Sequence, residues 1–236
     1  MNPFLIIAPA RSGSTLLREM LNRHPEVCCH GEVYGIHRVL GYSANAAHAL
    51  DPEVALTQRR RDPARFLTDH VLASARPAVG FKLLYNQMLH LEFMPALQRL
   101  IEMPTLRVVH LWRRDLLARH VSEARLRLKS VQRKAGPDAG VTLEQLLRPA
   151  MVVRSCSINV AARACAKQLF ARQPALALDY EDFIDDHAVQ SARLCAFLGI
   201  DNAGWPALPN KGVDASDPEI ERLKQLPALR AYGNNG

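Results

Sequence analysis

The sequence predicts an α/β fold built on a central, mainly parallel sheet of about five strands. Five short apolar segments have the length and composition of strands that are buried on both faces. Longer helical stretches separate most of them, which is the alternation typical of a parallel sheet. The chain also opens with a strand, a turn that contains glycine, and a helix. The predicted strands span residues 4–8, 27–30, 78–84, 106–112 and 175–180.

The helices are predicted from apolar spacing and from residues that cap helices. The first follows the glycine-containing turn and ends before Pro25. Asp115 is placed to cap another, Thr142 has capping-box spacing with Gln145, and Gly199 ends a third. The predicted helices span residues 14–23, 115–129, 187–198 and 218–226, and one more opens at 142.

We expect residues 1–236 to form a single domain, because the length fits one large domain and no clear linker divides the chain. Two segments near 41–65 and 130–140 look like excursions from the core, and a proline-containing tail from about 205 is expected to wrap the surface. Arg59-Arg60-Arg61, in the first excursion, favours a solvent-exposed face, with an acidic acceptor as the alternative contact.

The charge balance suggests an anionic ligand without identifying one. Lys and Arg total 30 against 23 Asp and Glu, for a net charge of +7. Nucleic acid, acidic lipid, sulfated glycan and phosphorylated nucleotide all fit this surplus. Aromatic residues make up only 6% of the chain, which argues against a single-strand-binding surface of stacked rings.

The cysteine count argues against a disulfide scaffold or a zinc ribbon. There are five cysteines, with no CxxC pair. His48, His70, His90 and His187 share no ligand spacing with other histidines or cysteines, so no metal site is expected. Nothing resembles a signal peptide or a membrane span, and a cytoplasmic protein with reduced thiols is the expectation.

The first chemically informative motif is APARSGST, residues 8–15, between the first strand and the first helix. Backbone N–H groups and a helix N-terminus there would point at an anion, and Gly13 permits its close approach. Compared with the nucleotide-binding pattern G-x-x-x-x-G-K-[ST], Ala8 replaces the first glycine and Ser14 replaces the lysine. Arg11 supplies a cation instead. The alternative is an ordinary strand-to-helix turn capped by serine.

The second motif lies where the strand at residues 106–112 ends. Arg114 and Asp115 follow this strand, and Ser122 lies eight residues after Arg114, inside the next helix. Ligands of parallel α/β sheets bind beyond the carboxyl ends of the strands. Arg114 and Ser122 could therefore hold one phosphate, although Arg-Arg-Asp is also common where a helix merely begins.

Together the two motifs resemble the sulfotransferases that use 3′-phosphoadenosine 5′-phosphosulfate, over residues 4–183 in order. The first looks like their 5′-phosphosulfate loop, the second like their 3′-phosphate site, and DYEDF at 179–183 like their Tyr-Glu-Asp-Leu segment. GFKL at 80–83 is similar to the bacterial glycan, lipopolysaccharide and nodulation-factor branch. The donor-binding residues implied are Arg11, Ser12, Gly13, Ser14, Thr15, Arg114 and Ser122, with Lys211 before Gly212 as a further contact.

The resemblance implies a P-loop-like three-layer sandwich and sulfuryl transfer to a hydroxyl of a glycan, lipid-linked sugar or small metabolite, without a metal. Arg11 and Lys82 are the candidate cations for the charge that develops on the leaving phosphate. In the bacterial branch a Glu after the second strand is the base, and Glu32 matches that position. His30 is the alternative base, because its ordinary pKa lies nearer neutral pH. The alternative for Glu32 is a salt-bridged loop carboxylate with no part in the reaction.

Two other functions remain open from the residues alone. A kinase that uses a nucleoside triphosphate is favoured by the position of the loop and opposed by Ser14. A non-catalytic module that binds anions or nucleic acid is favoured by the net charge and opposed by the scattered basic residues. We expect a hydroxyl-bearing acceptor as the partner, and neither nucleic acid nor a membrane span.

Overall fold

The computed structural model describes residues 1–41, 50–136, 140–202, 205, 207 and 217–233. Its centre is a five-stranded, all-parallel sheet with the strand order β2-β3-β1-β4-β5, which confirms the predicted fold class. The strands are β1 (Asn2–Ala8), β2 (Val27–His30), β3 (Ala78–Leu84), β4 (Arg107–Trp112) and β5 (Ala175–Asp179).

Alternation along β1 explains why its sequence is apolar without interruption. Leu5 and Ile7 pack into the core on one face of the sheet, whereas Phe4 and Ile6 pack into the core on the other. A strand covered by helices on both faces favours apolar side chains at every position. The sheet is therefore the middle of three layers, as predicted.

Eleven α-helices lie in the described part of the chain. One layer, against Leu5 and Ile7, includes the third, fifth, sixth, eighth and eleventh helices, and the opposite layer includes the first, ninth and tenth. They are α1 (Ser14–Arg23), α2 (Pro52–Arg61), α3 (Pro63–Phe66), α4 (Tyr85–Met88), α5 (Met94–Ile101), α6 (Leu116–Ala135), α7 (Leu143–Leu146), α8 (Pro149–Leu169), α9 (Tyr180–Asp185), α10 (His187–Leu198) and α11 (Pro218–Lys224).

Three helices differ from the sequence prediction, and one of them, α11, simply ends at Lys224 rather than at residue 226. Asp115 caps α6 through the amide of Ala118, as predicted, but α6 continues to Ala135 because residues 132–135 are good helix formers despite their polarity. The capping box of Thr142 is present, yet the helix it opens ends at Leu146. A separate helix of 21 residues, α8, then begins at Pro149, in the position where proline is tolerated.

The strand order reverses at β1, and this places a crevice at the carboxyl edge of the sheet. The connection from β1 leads to β2 on one side of β1, whereas β4 pairs with β1 on the other side. Such a reversal opens a crevice at the carboxyl ends of the central strands.

Lys211 lies outside the described residues. Over the residues described, no helix is both long enough and apolar enough to cross a bilayer.

Candidate active site

The loop between β1 and α1 is fixed by its own hydrogen bonds and held in an unusual backbone conformation. Ser12 is fully buried, and its hydroxyl donates to the carbonyl oxygen of Pro9 at 2.9 Å. Arg11 has φ 66° and Gly13 has φ 85°, both in the left-handed region. This conformation costs a residue with a side chain about 1–2 kcal/mol. Strain of this kind clusters at ligand-binding sites, so Arg11 is a candidate for function.

The N-terminus of α1 is open toward this loop. Gly13 precedes the helix, and no side chain caps the amides of its first turn. Thr15 is exposed beside them. Free first-turn amides and the helix dipole together favour an anion, with the positive end directed at it. The residues present therefore fit a phosphate or a phosphosulfate group.

The two sequence motifs meet at one hydrogen bond. The Nε of Arg11 donates to the hydroxyl of Ser122 at 3.0 Å, across 111 positions of the chain. Arg11 belongs to the first loop, and Ser122 lies in the second turn of α6. The structure thus brings the first motif and the serine of the second motif to the same place at the carboxyl edge of the sheet.

Arg114, the other member of the second motif, faces acidic groups. Its guanidinium donates to Asp182 at 2.6 Å and to Asp179 at 3.3 Å. The hydrogen bond to Asp182 and the nearby carboxylates raise the pKa of Arg114 above its ordinary value. The carboxylate of Glu181 accepts from the backbone amides of Arg114 and Asp115. The carboxylates of Asp179, Glu181 and Asp182 therefore hold the segment that follows β4 in place.

Arg113 is a candidate that the sequence analysis missed. Its guanidinium carbon lies 5.2 Å from the centre of the Tyr180 ring, which packs against Gly13. Its Nε is buried without a hydrogen-bond partner, and no ion pair of Arg113 occurs among the residues described. Arg113 is thus an uncompensated cation close to the loop, whereas the charge of Arg114 is already matched.

A second polar cluster joins β3 to the segment after β2. The carboxylate of Glu32 lies 3.0 Å from the Nζ of Lys82 and accepts from the Nε2 of Gln87 at 2.9 Å. Lys82, which is only 6% exposed, also donates to the hydroxyl of Thr15 at 3.1 Å. The contact with Thr15 connects the cluster directly to the open N-terminus of α1. Gln87 was not recognised from the sequence.

His30 has a different environment from Glu32. The imidazole is completely buried at the end of β2, where its Nε2 lies 3.6 Å from the Sγ of Cys28. Burial lowers the pKa of His30 to about 4, so the ring is neutral at physiological pH. The side chain of Glu32 is 26% exposed. Of the two predicted bases, Glu32 is therefore the one that an acceptor could reach.

Arg59 corrects the expectation for the arginine triplet. The sequence predicts a solvent-exposed face, but Arg59 is only 4% exposed. Its guanidinium donates to the carbonyl oxygens of Val33 and Gly35, both at 2.8 Å. Val33 is the next residue after Glu32, and Gly35 lies three residues after it. A buried arginine thus anchors the segment that carries the candidate base.

We expect Arg59→Ala to lower the free energy of unfolding by about 2–3 kcal/mol, because it leaves two buried carbonyls without their charged donor. Arg60→Ala is the matched control, since Arg60 makes only an exposed ion pair with Glu92 at 3.9 Å, which is worth little. Chemical denaturation of the two variants measures the difference. Equal stability of both variants would contradict the anchoring role of Arg59.

A cavity of about 560 Å³ adjoins the loop at Pro9 and Ala10. It lies between α4, α6, α7 and α8, and its wall includes Arg119. Arg119 is 1% exposed, donates to the carbonyl oxygen of Ala10 at 3.2 Å and donates to the hydroxyl of Ser155 at 2.7 Å. This arginine therefore connects the loop to both long helices that line the cavity.

The predicted residues thus fall into two connected clusters at one edge of the sheet. The first contains Arg11 with Ser122, and the second contains Lys82 and Glu32 beside Thr15. Arg114 lies apart, paired with Asp179 and Asp182 rather than with Ser122. Within the described segments, no group of three or more His, Cys, Asp or Glu side chains could hold a metal ion.

Comparison with known proteins gives a family and a fold. Residues 3–205 match the model of the sulfotransferase family. The chain is similar to a crystal structure of a sulfotransferase from Alicyclobacillus acidocaldarius, with a TM-score of 0.60, 18% identity, and coverage of 97% of this chain and 93% of that one.

Two further structures resemble the chain more distantly. Mouse sulfotransferase SULT7A1 complexed with PAP has a TM-score of 0.44 and 15% identity, and the match covers 85% of this chain and 60% of that one. The sulfotransferase domain of the Synechococcus PCC 7002 olefin synthase has a TM-score of 0.43 and 17% identity, with coverage of 94% and 82%. The search of curated proteins found no match.

Proposed function

The chain belongs to the sulfotransferase family, and from this premise we propose that it transfers a sulfuryl group from 3′-phosphoadenosine 5′-phosphosulfate to a hydroxyl acceptor. The observation that carries the proposal is the contact between Arg11 and Ser122 beside the uncapped N-terminus of α1. It places the cation and the free amides that fit a phosphosulfate next to a hydroxyl that fits the neighbouring 3′-phosphate.

The reaction forms one bond and breaks one bond at sulfur. The acceptor oxygen forms a new O–S bond, while the bond between sulfur and the bridging oxygen of the 5′-phosphate breaks. The leaving adenosine bisphosphate takes the electron pair, and Glu32 takes the hydroxyl proton as a general base. The donor supplies the activated sulfuryl group, so no oxidant or metal enters the balance.

Arg11, Lys82 and the amides of α1 stabilise the negative charge that develops on the leaving phosphate. Lys82 is suited to this role because it is almost fully buried and bonded to Thr15 at the helix N-terminus. A cation held in a site that excludes water interacts more strongly with developing charge than one in water. Its ion pair with Glu32 also keeps the base beside the site of transfer.

Ligand binding tests the proposed donor. We expect adenosine 3′,5′-bisphosphate to raise the melting temperature of the protein. A free ligand concentration of 100 times Kd stabilises the folded state by about 2.7 kcal/mol. ATP with Mg²⁺ and duplex DNA are the matched ligands for a kinase and for a nucleic-acid-binding module. Turnover with the phosphosulfate donor should survive EDTA. Stabilisation by ATP with Mg²⁺ alone would overturn the proposal in favour of a kinase.

The 3′-phosphate provides a prediction that separates the neighbouring arginines. We propose that Ser122 binds this group with Arg113, since carboxylates already occupy Arg114, the arginine indicated by the sequence. Arg113→Ala should weaken binding of adenosine 3′,5′-bisphosphate by about 1.5–3 kcal/mol, the range for charged hydrogen bonds. Binding of adenosine 5′-monophosphate, which lacks the 3′-phosphate, should change little. Titration calorimetry measures both ligands, and the same pattern in Arg114→Ala instead would return the role to Arg114.

A further inference from the structure

The cavity beside the loop contains an unusual set of side chains for a protein surface. Three large apolar residues line it while remaining open to solvent: Leu89 is 81% exposed, Ile158 is 56% exposed and Met151 is 38% exposed. They come from the end of α4 and from one side of α8. Large apolar side chains gathered around one concave surface mark a binding site more often than chance exposure does.

Cations border the same cavity. Arg127 from α6 and Arg154 from α8 line it, and both are exposed without an ion pair among the described residues. The single acidic residue in the lining, Glu123, is already paired with the buried Arg119. The cavity therefore combines an apolar wall with two uncompensated positive charges, which complements a molecule that has an apolar body and an anionic group.

The two ends of the cavity differ in chemistry. At one end the carbonyl of Ala10 is bound by Arg119, so this end reaches the loop where sulfuryl transfer is proposed. Arg127 follows Arg119 by eight residues on α6, which corresponds to about 12 Å along the helix axis. A bound molecule could therefore present a hydroxyl to the loop while its anionic group lies well away from the reacting sulfur.

We propose that this cavity binds the acceptor and selects an elongated amphiphilic anion, with its hydroxyl at Pro9 and Ala10, its apolar body against Leu89, Met151 and Ile158, and its anionic group at Arg127 and Arg154. The inference rests on the proposed sulfuryl transfer and names the class of acceptor. Because these arginines lie away from the loop, the negative charge of the acceptor stays apart from the negative charge of the donor.

Binding of two matched probes to the protein saturated with adenosine 3′,5′-bisphosphate tests the inference. The probes are ω-hydroxydodecanoate and its methyl ester, which share the hydroxyl and the chain and differ in the anionic charge. We expect the acid to bind about tenfold more tightly than the ester, because only the acid can form charged hydrogen bonds with Arg127 and Arg154. In the double variant Arg127→Ala/Arg154→Ala, this preference should disappear while the ester keeps its affinity.

Arg133→Ala is the matched control, because Arg133 is an exposed arginine of α6 that does not line the cavity. It should retain the preference for the acid. Each of four results would overturn the inference. These are equal binding of acid and ester, no binding of either, a preference for the acid that survives the double variant, and displacement of the acid by adenosine bisphosphate. Failure of the proposed function is distinguishable, since adenosine bisphosphate would then fail to stabilise the protein with no probe present.

Discussion

Glu32→Gln is expected to lower kcat by about 10²–10⁴-fold, the typical contribution of a general base. Glutamine has the size of glutamate and an oxygen that can still accept from Lys82, but it cannot take the proton of the acceptor hydroxyl. The Kd for adenosine 3′,5′-bisphosphate should stay near the wild-type value. Initial rates with the phosphosulfate donor, together with calorimetric titration of adenosine bisphosphate, measure the two effects separately.

The loss of charge at position 32 also has a structural effect that must be measured. Lys82 is nearly buried, and its ion pair with Glu32 is replaced by a neutral contact in the variant. We expect the free energy of unfolding to fall by about 1–3 kcal/mol for this reason. Thermal denaturation and the folded fraction at the assay temperature therefore accompany the rates.

Glu26→Gln is a matched control for Glu32→Gln. Glu26 precedes β2 at the opposite edge of the sheet, where its carboxylate accepts from the amide of Asp201 at 2.8 Å. The control should keep wild-type kcat. Wild-type kcat in Glu32→Gln would remove Glu32 as the base. A large loss in His30→Ala, at unchanged stability, would transfer the role to His30, although its burial argues against this.

The sheet could be predicted from the sequence because its signal is local. Each strand is a run of apolar residues that reflects burial on two faces, and β2 and β3 have the predicted bounds. The first loop could be recognised for the same reason, since Arg11 to Thr15 are consecutive. The rule that ligands bind at the carboxyl ends of parallel strands placed Arg114 and Ser122 at this edge, but it did not predict the contact between Ser122 and Arg11.

Other features of the site depend on contacts between distant segments and have no local signal. Arg59 looks like its exposed neighbour Arg60, and its burial is explained by contacts with distant residues, among them the carbonyls of Val33 and Gly35. The distinction between Arg113 and Arg114 depends on where the carboxylates of residues 179–182 lie, 65 or more positions away. Adjacent identical residues cannot be told apart by spacing alone.

The second large effect is expected at Gly13. Alanine at this position would hold φ near 85°, which costs a residue with a Cβ about 1–2 kcal/mol. The added Cβ would also collide with the ring of Tyr180, and forcing a packed contact apart typically costs about 1–3 kcal/mol. Gly13→Ala should therefore lower the free energy of unfolding by about 2–5 kcal/mol and weaken adenosine bisphosphate binding, because the loop and the first turn of α1 must shift.

Two variants separate the backbone effect from the collision. Gly140 has φ 69°, but no atom of the described residues lies within 4 Å of a Cβ added there, so Gly140→Ala should show the backbone cost alone. In the background of Tyr180→Ala, Gly13→Ala meets no ring, and its cost should fall toward that of Gly140→Ala. Denaturation of the single and double variants gives the coupling energy between the two positions.

Additive effects of Gly13→Ala and Tyr180→Ala would show that the ring of Tyr180 does not define the shape of the loop. A coupling of about 1 kcal/mol or more, with adenosine bisphosphate binding recovered in the double variant, would establish that the aromatic ring and the missing side chain at Gly13 together shape the anion site.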